Sequence, residues 1–473
     1  MTDARHLRAA ILATPLESSN FGENPRPGTH YIPPSHRKAL RLEANLVIGG
    51  RGVGKTFWTA TLNSLSERPD VGDQLPELKG IEVVVGFAEK GQSNNFPDAD
   101  AFSALIGQGF DPYDIWRAVI LRWVARRDGR SIPDTTWSDT IGWLKSGTAS
   151  AARVMETPRD WRGLILFDAL DRTSTDWLRM DEIVRGLLRA VLWLKSWPGL
   201  HGKVFLREDQ AERTVFNFPD ASKLTATRAE LTWARYDLHG LLWQRLIHAP
   251  DPHGARMRDI CGKAAGREVQ RNGEIWSLPD ELKRESDAQK IAFERLAGTQ
   301  MGRGVKRGVP YTWSVSHLED ARGQASPRSF LAAIKQATED TEERYPDHEL
   351  ALHFESIKRG IQKASEIRVS EIAEDYPWVR EVLEPLRGLN VPCESDTFVE
   401  RWNAKFPNGP GEISTKSLLP AQHLKRGWQG IHDDLRRLGM IEIKKTDGRT
   451  DMPDLYRVGF GLGRKGGVKP KIG

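Results

Sequence analysis

The stretch Leu46-Val47-Ile48-Gly49-Gly50-Arg51-Gly52-Val53-Gly54-Lys55-Thr56 constrains the chain more than any other. Three apolar residues run into a glycine-rich segment, then Lys55 and Thr56, then Phe57-Trp58-Thr59-Ala60-Thr61-Leu62. That order predicts a buried strand, a tight loop and the start of a helix. Gly49, Gly54, Lys55 and Thr56 meet the G-x-x-x-x-G-K-[ST] spacing. Glycines at 49, 50, 52 and 54 let backbone N–H groups turn toward phosphate oxygens, and Val53 and Phe57 complete the cradle. The helix that follows presents its positive end to the same phosphates. Lys55 is placed to neutralise the β- and γ-phosphates and Thr56 to put a hydroxyl on Mg²⁺, so ATP and Mg²⁺ are the expected ligands.

A second stretch fits the first. Trp161-Arg162-Gly163-Leu164-Ile165-Leu166-Phe167-Asp168 reads as a central parallel strand ending in an acid, and Asp168 would hold Mg²⁺ through water beside Thr56. Many ATPases place a glutamate next, where this chain has Ala169; Asp171 is the nearest acid able to orient water. Asp171 also suits a turn or a helix N-cap. Lys203–Arg207 reads as another short strand, with Arg207 at the carboxyl edge of the sheet. There it reads the γ-phosphate or pairs with Glu208 or Asp209. Ile81–Phe87 is a further buried strand, Asp111-Pro112 opens a helix, and Asp176–Trp197 has helical periodicity. Residues 128–158 read as irregular with weak helices, Glu230–Trp233 as a last strand, and Tyr236–Ile247 as an amphipathic helix.

The second half carries two more signals. Residues 250–312 are polar and punctuated by glycine, with a helix expected only near Leu282–Leu296. In Ser326-Pro327-Arg328, Ser326 caps a helix, Pro327 takes its first position and Arg328 sits in its first turn. A cation there opposes the helix dipole, so it either contacts nucleotide phosphate or pairs with a carboxylate. Near the end, a helix over Trp428–Leu438 stops at Gly439; Met440–Lys445 is a strand, Thr446–Arg449 a turn and Leu455–Val458 a return strand. This is the order of a winged helix-turn-helix with a basic wing. The net charge is +5, yet residues 421–473 alone hold twelve lysines and arginines against six acids, an excess of +6. That asymmetry points to a polyanion such as double-stranded DNA, met by Arg436, Arg437, Lys444, Lys445 and Arg449, or to a solvated tail.

No apolar run approaches the length of a membrane span, and the first residues lack a secretory leader's apolar core. Cys261 and Cys393 lie far apart and suit packing in a reducing cytoplasm; no Cys/His cluster has zinc spacing. The expected division is an N-terminal arm (1–35), a nucleotide-binding core (36–250), a helical lid with a polar insertion (251–376) and a winged-helix domain with a basic tail (377–473).

The ordered set of phosphate loop, Asp168-x-x-Asp171, Arg207 after its strand, Ser326-Pro327-Arg328 and a terminal winged helix resembles the STAND and KAP-like branch of the AAA+-related P-loop ATPases. Leu166–Asp171 looks like that branch's variant Walker B, with a second acid three residues on, and Ser326-Pro327-Arg328 looks like a sensor-2 motif. The domain order is similar to that of archaeal and eukaryotic origin-recognition ATPases. The resemblance implies an α/β fold: a P-loop NTPase parallel sheet with helices on both faces, a helical lid and a C-terminal winged helix-turn-helix. It also implies a cytoplasmic Mg-ATP-dependent ATPase, homo-oligomeric, acting as a switch or assembly factor. Many bacterial members look like parts of anti-phage systems, acting with a nuclease or other effector. Ala169 departs from the usual pattern and implies slow or partner-stimulated hydrolysis. The alternative is a DNA-binding regulator or scaffold with structural nucleotide and negligible hydrolysis.

Overall fold

The computed structural model describes residues 3–16, 28, 30–64, 71, 74–89, 94–211, 213–302, 307–413 and 420–470. The proline-rich part of the arm, Asn24–Pro27, lies outside the described residues. The chain forms two units, one of residues 19–25 and 32–232, the other of residues 1–18, 26–31 and 233–473. Helix α1 (Asp3–Ala13) belongs to the second.

In the first unit α2 (Pro34–Leu40) leads to β1 (Leu46–Ile48), and the glycine loop leads to α3 (Lys55–Asn63). Then come β2 (Ile81–Phe87), α4 (Ala99–Gly107), α5 (Pro112–Arg127), α6 (Trp137–Ser146) and α7 (Thr148–Glu156). The unit closes with β3 (Arg162–Phe167), α8 (Trp177–Leu194), β4 (Leu200–Leu206) and β5 (Ala229–Glu230). The five strands are parallel in the order β2-β3-β4-β1-β5. Gly163–Phe167 of β3 are all buried, which requires cover on both faces of the sheet and explains their unbroken apolar run. Ile48 and Leu206 are register partners, and Gly49 N–H donates to the Leu206 carbonyl at 3.1 Å. The phosphate loop and Arg207 therefore leave the sheet side by side.

The core beside β3 is aromatic. Trp116 of α5 lies 5.5 Å from Phe167, 5.6 Å from Phe87 and 4.7 Å from Phe102, ring to ring, and its indole N–H donates to the Ile183 carbonyl at 3.0 Å. Burying each such ring contributes roughly 2–3 kcal/mol. Lys203 of β4 is fully buried, and its ammonium donates to the carbonyls of Ala39 (2.7 Å), Arg41 (2.8 Å) and Ala44 (2.6 Å). Burial pushes this lysine down to about 7. Only the protonated amine has a proton for each of three acceptors, so the geometry holds the charged form.

Asp111 caps α5, the helix the sequence opens there, and Asp176 caps α8. Two readings of this unit change. β2 is an edge strand, and Ile81–Val84 are only half-buried. Residues 128–158 hold two helices; α6 opens with a capping box in which Thr136 accepts from Asp139 N–H and Asp139 accepts from Thr136 N–H. That local signal outweighs the polar composition around it.

In the second unit α9 (Arg235–Leu246) is buried almost all round, with Asp237, His239 and Gln244 taken inside by hydrogen bonds, so it is a central helix and not an amphipathic one. Residues 250–312 are more ordered than their composition suggests: α10 (His253–Ala265), a hairpin of β6 (Gln270–Asn272) and β7 (Ile275–Ser277), α11 (Asp287–Ala297) and α12 (Pro310–Ser316). The hairpin turns at Gly273-Glu274, where Gly273 has φ +59°. Cys261 is buried in α10 and Cys393 half-buried, both as free thiols. Helices α13 (Pro327–Arg344) and α14 (Phe354–Asp375) pack so closely that a Cβ on Gly360 would lie 2.3 Å from the Ala333 carbonyl. The chain ends with α15 (Pro377–Leu383), α16 (Ser395–Lys405), α17 (Gly427–Arg437), β8 (Glu442–Ile443), β9 (Thr450–Asp451) and α18 (Asp454–Arg457).

Cys393 N–H donates to Thr450 O and receives its N–H in return, adding a third strand segment to the β8–β9 pair. Helix, strand segment, two helices and a hairpin make this a winged helix-turn-helix. The return strand is Thr450–Asp451, and Leu455–Val458, read from the sequence as a strand, falls in the helical turn α18 and its C-cap. Pro453 precedes it, and Asp454 and Arg457 pair across the turn at 2.7 Å, which together favour helix over strand.

Candidate functional site

The phosphate loop has the backbone its sequence demands. Gly52 and Gly54 have φ of +77° and +110°, and a Cβ on Gly49 would lie 2.7 Å from the Val53 side chain. Phe57 and Trp58 follow in the first turn of α3, their rings 5.1 Å apart and edge to face. The indole N–H of Trp58 donates to His36 Nδ1 at 2.9 Å; burial pushes His36 down to about 3, so its ring is neutral and able to accept. The hydroxyl of Ser35 donates to the Thr232 carbonyl at 2.9 Å, and the backbone of Thr232 also bonds His36.

Lys55 folds back on its own loop, donating to the carbonyls of Gly49 (2.8 Å) and Gly50 (2.7 Å). Burial pushes its pKa down to about 8, helped by the Arg207 guanidinium, while Asp168, Asp171 and Asp209 hold it up. Asp168 ends β3, 3% exposed, and its N–H donates to the Phe87 carbonyl at 3.0 Å. Burial raises the Asp168 carboxyl; Lys55, the Ala169 N–H and the Thr56 hydroxyl favour its charged form. The hydrogen bond between the Thr56 hydroxyl and the Asp168 carboxylate joins the two groups expected around Mg²⁺. A hydroxyl and a carboxylate side by side are hard oxygen donors, a set that fits that ion.

Ala169 turns the chain with φ +56° and ψ +34°, a left-handed conformation that costs a non-glycine residue roughly 1–2 kcal/mol. The turn carries Asp171 to Arg207, NH1 to Oδ2 at 3.3 Å, and Asp209 reaches Arg207 Nε at 3.4 Å. All three side chains are largely covered. Arg207 thus pairs with Asp209, one of the two partners the sequence offers, and with Asp171 as well. Lys55, Arg207, Asp168, Asp171 and Asp209 carry two positive and three negative charges in their ordinary ionised forms.

Arg328 belongs to the second unit. Ser326 caps α13, accepting from Ser329 N–H at 3.2 Å. Arg328 NH1 donates to Glu371 Oε1 at 2.6 Å. Glu371 went unnoticed in the sequence because it is one carboxylate in a polar helix, 43 residues away.

At the winged helix, Arg436 and Arg437 are exposed in the last turn of α17, and the Arg437 carbonyl accepts from the Arg322 guanidinium. Lys444 pairs with Asp451 at 3.1 Å and Arg449 with Asp447 at 2.6 Å, so both are drawn into the wing itself. Lys445 is exposed beside them, and Lys425 is exposed ahead of α17. Arg457 is fully buried, and Arg464 pairs with Asp451 and Asp454. Much of the basic excess near the chain end is thus spent on internal pairs, a use that charge counting alone does not reveal.

Among the described residues no helix is long and apolar enough to cross a membrane. No family model and no curated protein matches the chain. Among solved structures, the chain is similar to the ORC1 protein of Aeropyrum pernix in complex with DNA, at 15% identity and TM-score 0.37 over 96% of this chain and 94% of that one. It is also similar to the Aeropyrum pernix ORC2 protein in its ADPNP–ADP complexes, at 12% identity and TM-score 0.31 over 90% of this chain and 93% of that one.

Proposed function

We propose that the chain is a Mg-ATP-binding P-loop ATPase, slow or partner-stimulated, whose nucleotide state governs engagement of double-stranded DNA or an effector by its winged-helix end. The observation that carries this reading is the convergence of a left-handed glycine loop, Lys55, the Thr56–Asp168 contact and the Asp171–Arg207 pair at one sheet edge. Loop N–H groups and Lys55 hold the phosphates, and Thr56 with Asp168 hold Mg²⁺, which when bound draws charge from the phosphate oxygens. A cluster with three acids and two bases needs such a cation before it accepts a polyphosphate.

Arg207 has two uses in this reading. Without a γ-phosphate it pairs with Asp171; drawn to that phosphate, it releases the Asp171 carboxylate to orient water and take its proton. Arg436, Arg437, Lys445 and the paired Lys444 and Arg449 supply the DNA face, and the chain acts as a homo-oligomer. The setting we propose is the bacterial cytoplasm, in defence against phage or mobile DNA with a nuclease-like effector; the STAND and KAP-like resemblance is its support.

The test is ATP turnover by the purified chain beside Lys55→Ala, with and without double-stranded DNA. Turnover that rises with DNA and vanishes in the variant is the expected result, and equal turnover by both proteins sinks the reading. A second reading, ATP held as a switch without turnover, is favoured by Ala169 standing where an acid would serve as base. Tight ATP binding with no turnover under either condition selects it.

A further inference from the structure

Helix α17 divides its residues between two sides. Gly430, Ile431, Asp434 and Leu435 are buried. Spacings of three, four and three put the N-cap Arg426 on the other side with Gln429, Asp433 and Arg436. Arg426, Gln429 and Arg436 are exposed, and Asp433 is half-buried. The start of the helix is firmly seated: the Trp428 ring stacks on Trp402 of α16 at 5.3 Å, and its indole N–H donates to Asn403 Oδ1 at 2.7 Å.

Asp433 ties this stripe together. Its Oδ1 accepts from Gln429 Nε2 at 2.9 Å, and its Oδ2 faces Arg426 NH1 at 3.0 Å. Asp434, next in the chain, turns inward; it is 4% exposed and accepts from the His423 N–H at 2.8 Å. The wing brings no excess charge, since Glu442–Asp451 sets Lys444, Lys445 and Arg449 against Glu442, Asp447 and Asp451. Attraction for phosphate therefore falls largely to α17, and there Asp433 opposes it.

We propose that Asp433 is the specificity-determining residue of the winged-helix end: it makes α17 read a cytosine edge in the major groove of double-stranded DNA instead of resting on phosphate. The inference rests on the reading of this end as a DNA face. A carboxylate only accepts hydrogen bonds, so it repels phosphate and is satisfied in the groove by a donor. Cytosine offers its N4 amine there. Adenine sets its N6 amine beside N7, an acceptor that would meet the second carboxylate oxygen. On a sequence without that cytosine, parting Asp433 from Arg426 and Gln429 gains nothing, and Arg426 stays neutralised. The carboxylate thus weakens indiscriminate binding and favours one base.

The test uses the full chain and a pool of short duplexes with a randomised centre, selected by retention on the protein and sequenced, with affinities measured by fluorescence anisotropy. The wild type enriches sites with a fixed cytosine. Asp433→Glu keeps that cytosine, and Asp433→Asn, whose amide pairs with adenine, enriches adenine at the same position. Asp433→Ala frees Arg426 for phosphate. It binds the unselected pool about fivefold more tightly, its salt slope steepens by about one, and its preference for the enriched site falls about tenfold. Variants that enrich the wild-type site with the wild-type salt slope overturn the inference while the DNA reading stands, as does a wild type that binds every duplex alike. A wild type that retains no duplex overturns the DNA reading itself.

Discussion

Under the proposed function, Lys55 ties ATP binding to pH. Its amine lies against two loop carbonyls, and burial with the Arg207 guanidinium lowers its pKa from 10.5 to about 8. Phosphate needs the ammonium, whereas the free site above pH 8 is increasingly the neutral amine, so binding there must take up a proton. Affinity is then divided by the ratio of total to protonated site. From pH 7, where almost every site is charged, to pH 9.5, the loss is about thirtyfold, near 2 kcal/mol. Phosphate groups have finished ionising below this window, so the change belongs to the protein. Folding has the opposite slope: between about pH 8 and 10.5 the unfolded chain binds more protons at this lysine, so its contribution to the stability of the free protein rises with pH while ATP affinity falls. Fluorescence titrations with an ATP analogue from pH 7 to 9.5 read the first slope and denaturant melts the second. Asp171→Asn removes one of the charges that hold Lys55 up and moves the fall in affinity to lower pH. An affinity that stays flat across the range refutes the reasoning, because Lys55 would then be charged throughout.

Ala169→Gly relieves a left-handed backbone worth roughly 1–2 kcal/mol, less about 0.5–1 kcal/mol for the extra freedom of unfolded glycine; the first unit should gain about 0.5–1 kcal/mol in denaturant titration, and a loss would show that the turn is unstrained. Asp454→Asn strips Arg457, which is fully buried, of the carboxylate it donates to twice, and should cost the second unit about 3–5 kcal/mol in melts at neutral pH. Its neighbours Arg457 and His317 help hold Asp454 down to about 2, so its stabilisation is present above pH 4 and is lost as pH falls toward 2; the Asn variant should lack that acid limb. Lys445→Glu should weaken DNA retention without altering the melt, whereas Lys444→Glu should also destabilise the wing by meeting Asp451 with a like charge; unchanged retention by Lys445→Glu removes the wing from the DNA face.

The strands were legible in the sequence because a parallel sheet writes itself as short, unbroken apolar runs. Leu46–Ile48 and Ile81–Phe87 match their observed limits. The phosphate loop was legible because only glycine tolerates φ of +77° and +110° at Gly52 and Gly54. Caps at Asp111 and Ser326 follow from local chemistry and needed no tertiary knowledge. What stayed hidden depends on partners distant in sequence. Nothing near Arg328 announces Glu371, and nothing near Lys444 separates a wing cation paired with Asp451 from one facing outward. The burial of α9 all round was hidden because Asp237 and Gln244 look polar until Tyr31 and the Gly28 carbonyl are brought to them. Leu455–Val458 misled because apolar and aromatic residues suit a strand as well as one buried helical turn.

The bonds among Trp58, His36, Ser35 and Thr232 make the exit of the sheet a stiff post. Thr232 is the last residue of the first unit, and its backbone is clasped by the two residues at the start of α2, one of which holds the indole in the first turn of α3. The start of α3 is thus tied to the point where the chain leaves the first unit, so neither can shift without straining the bonds to the other. These few hydrogen bonds build that post from three separate segments of the chain.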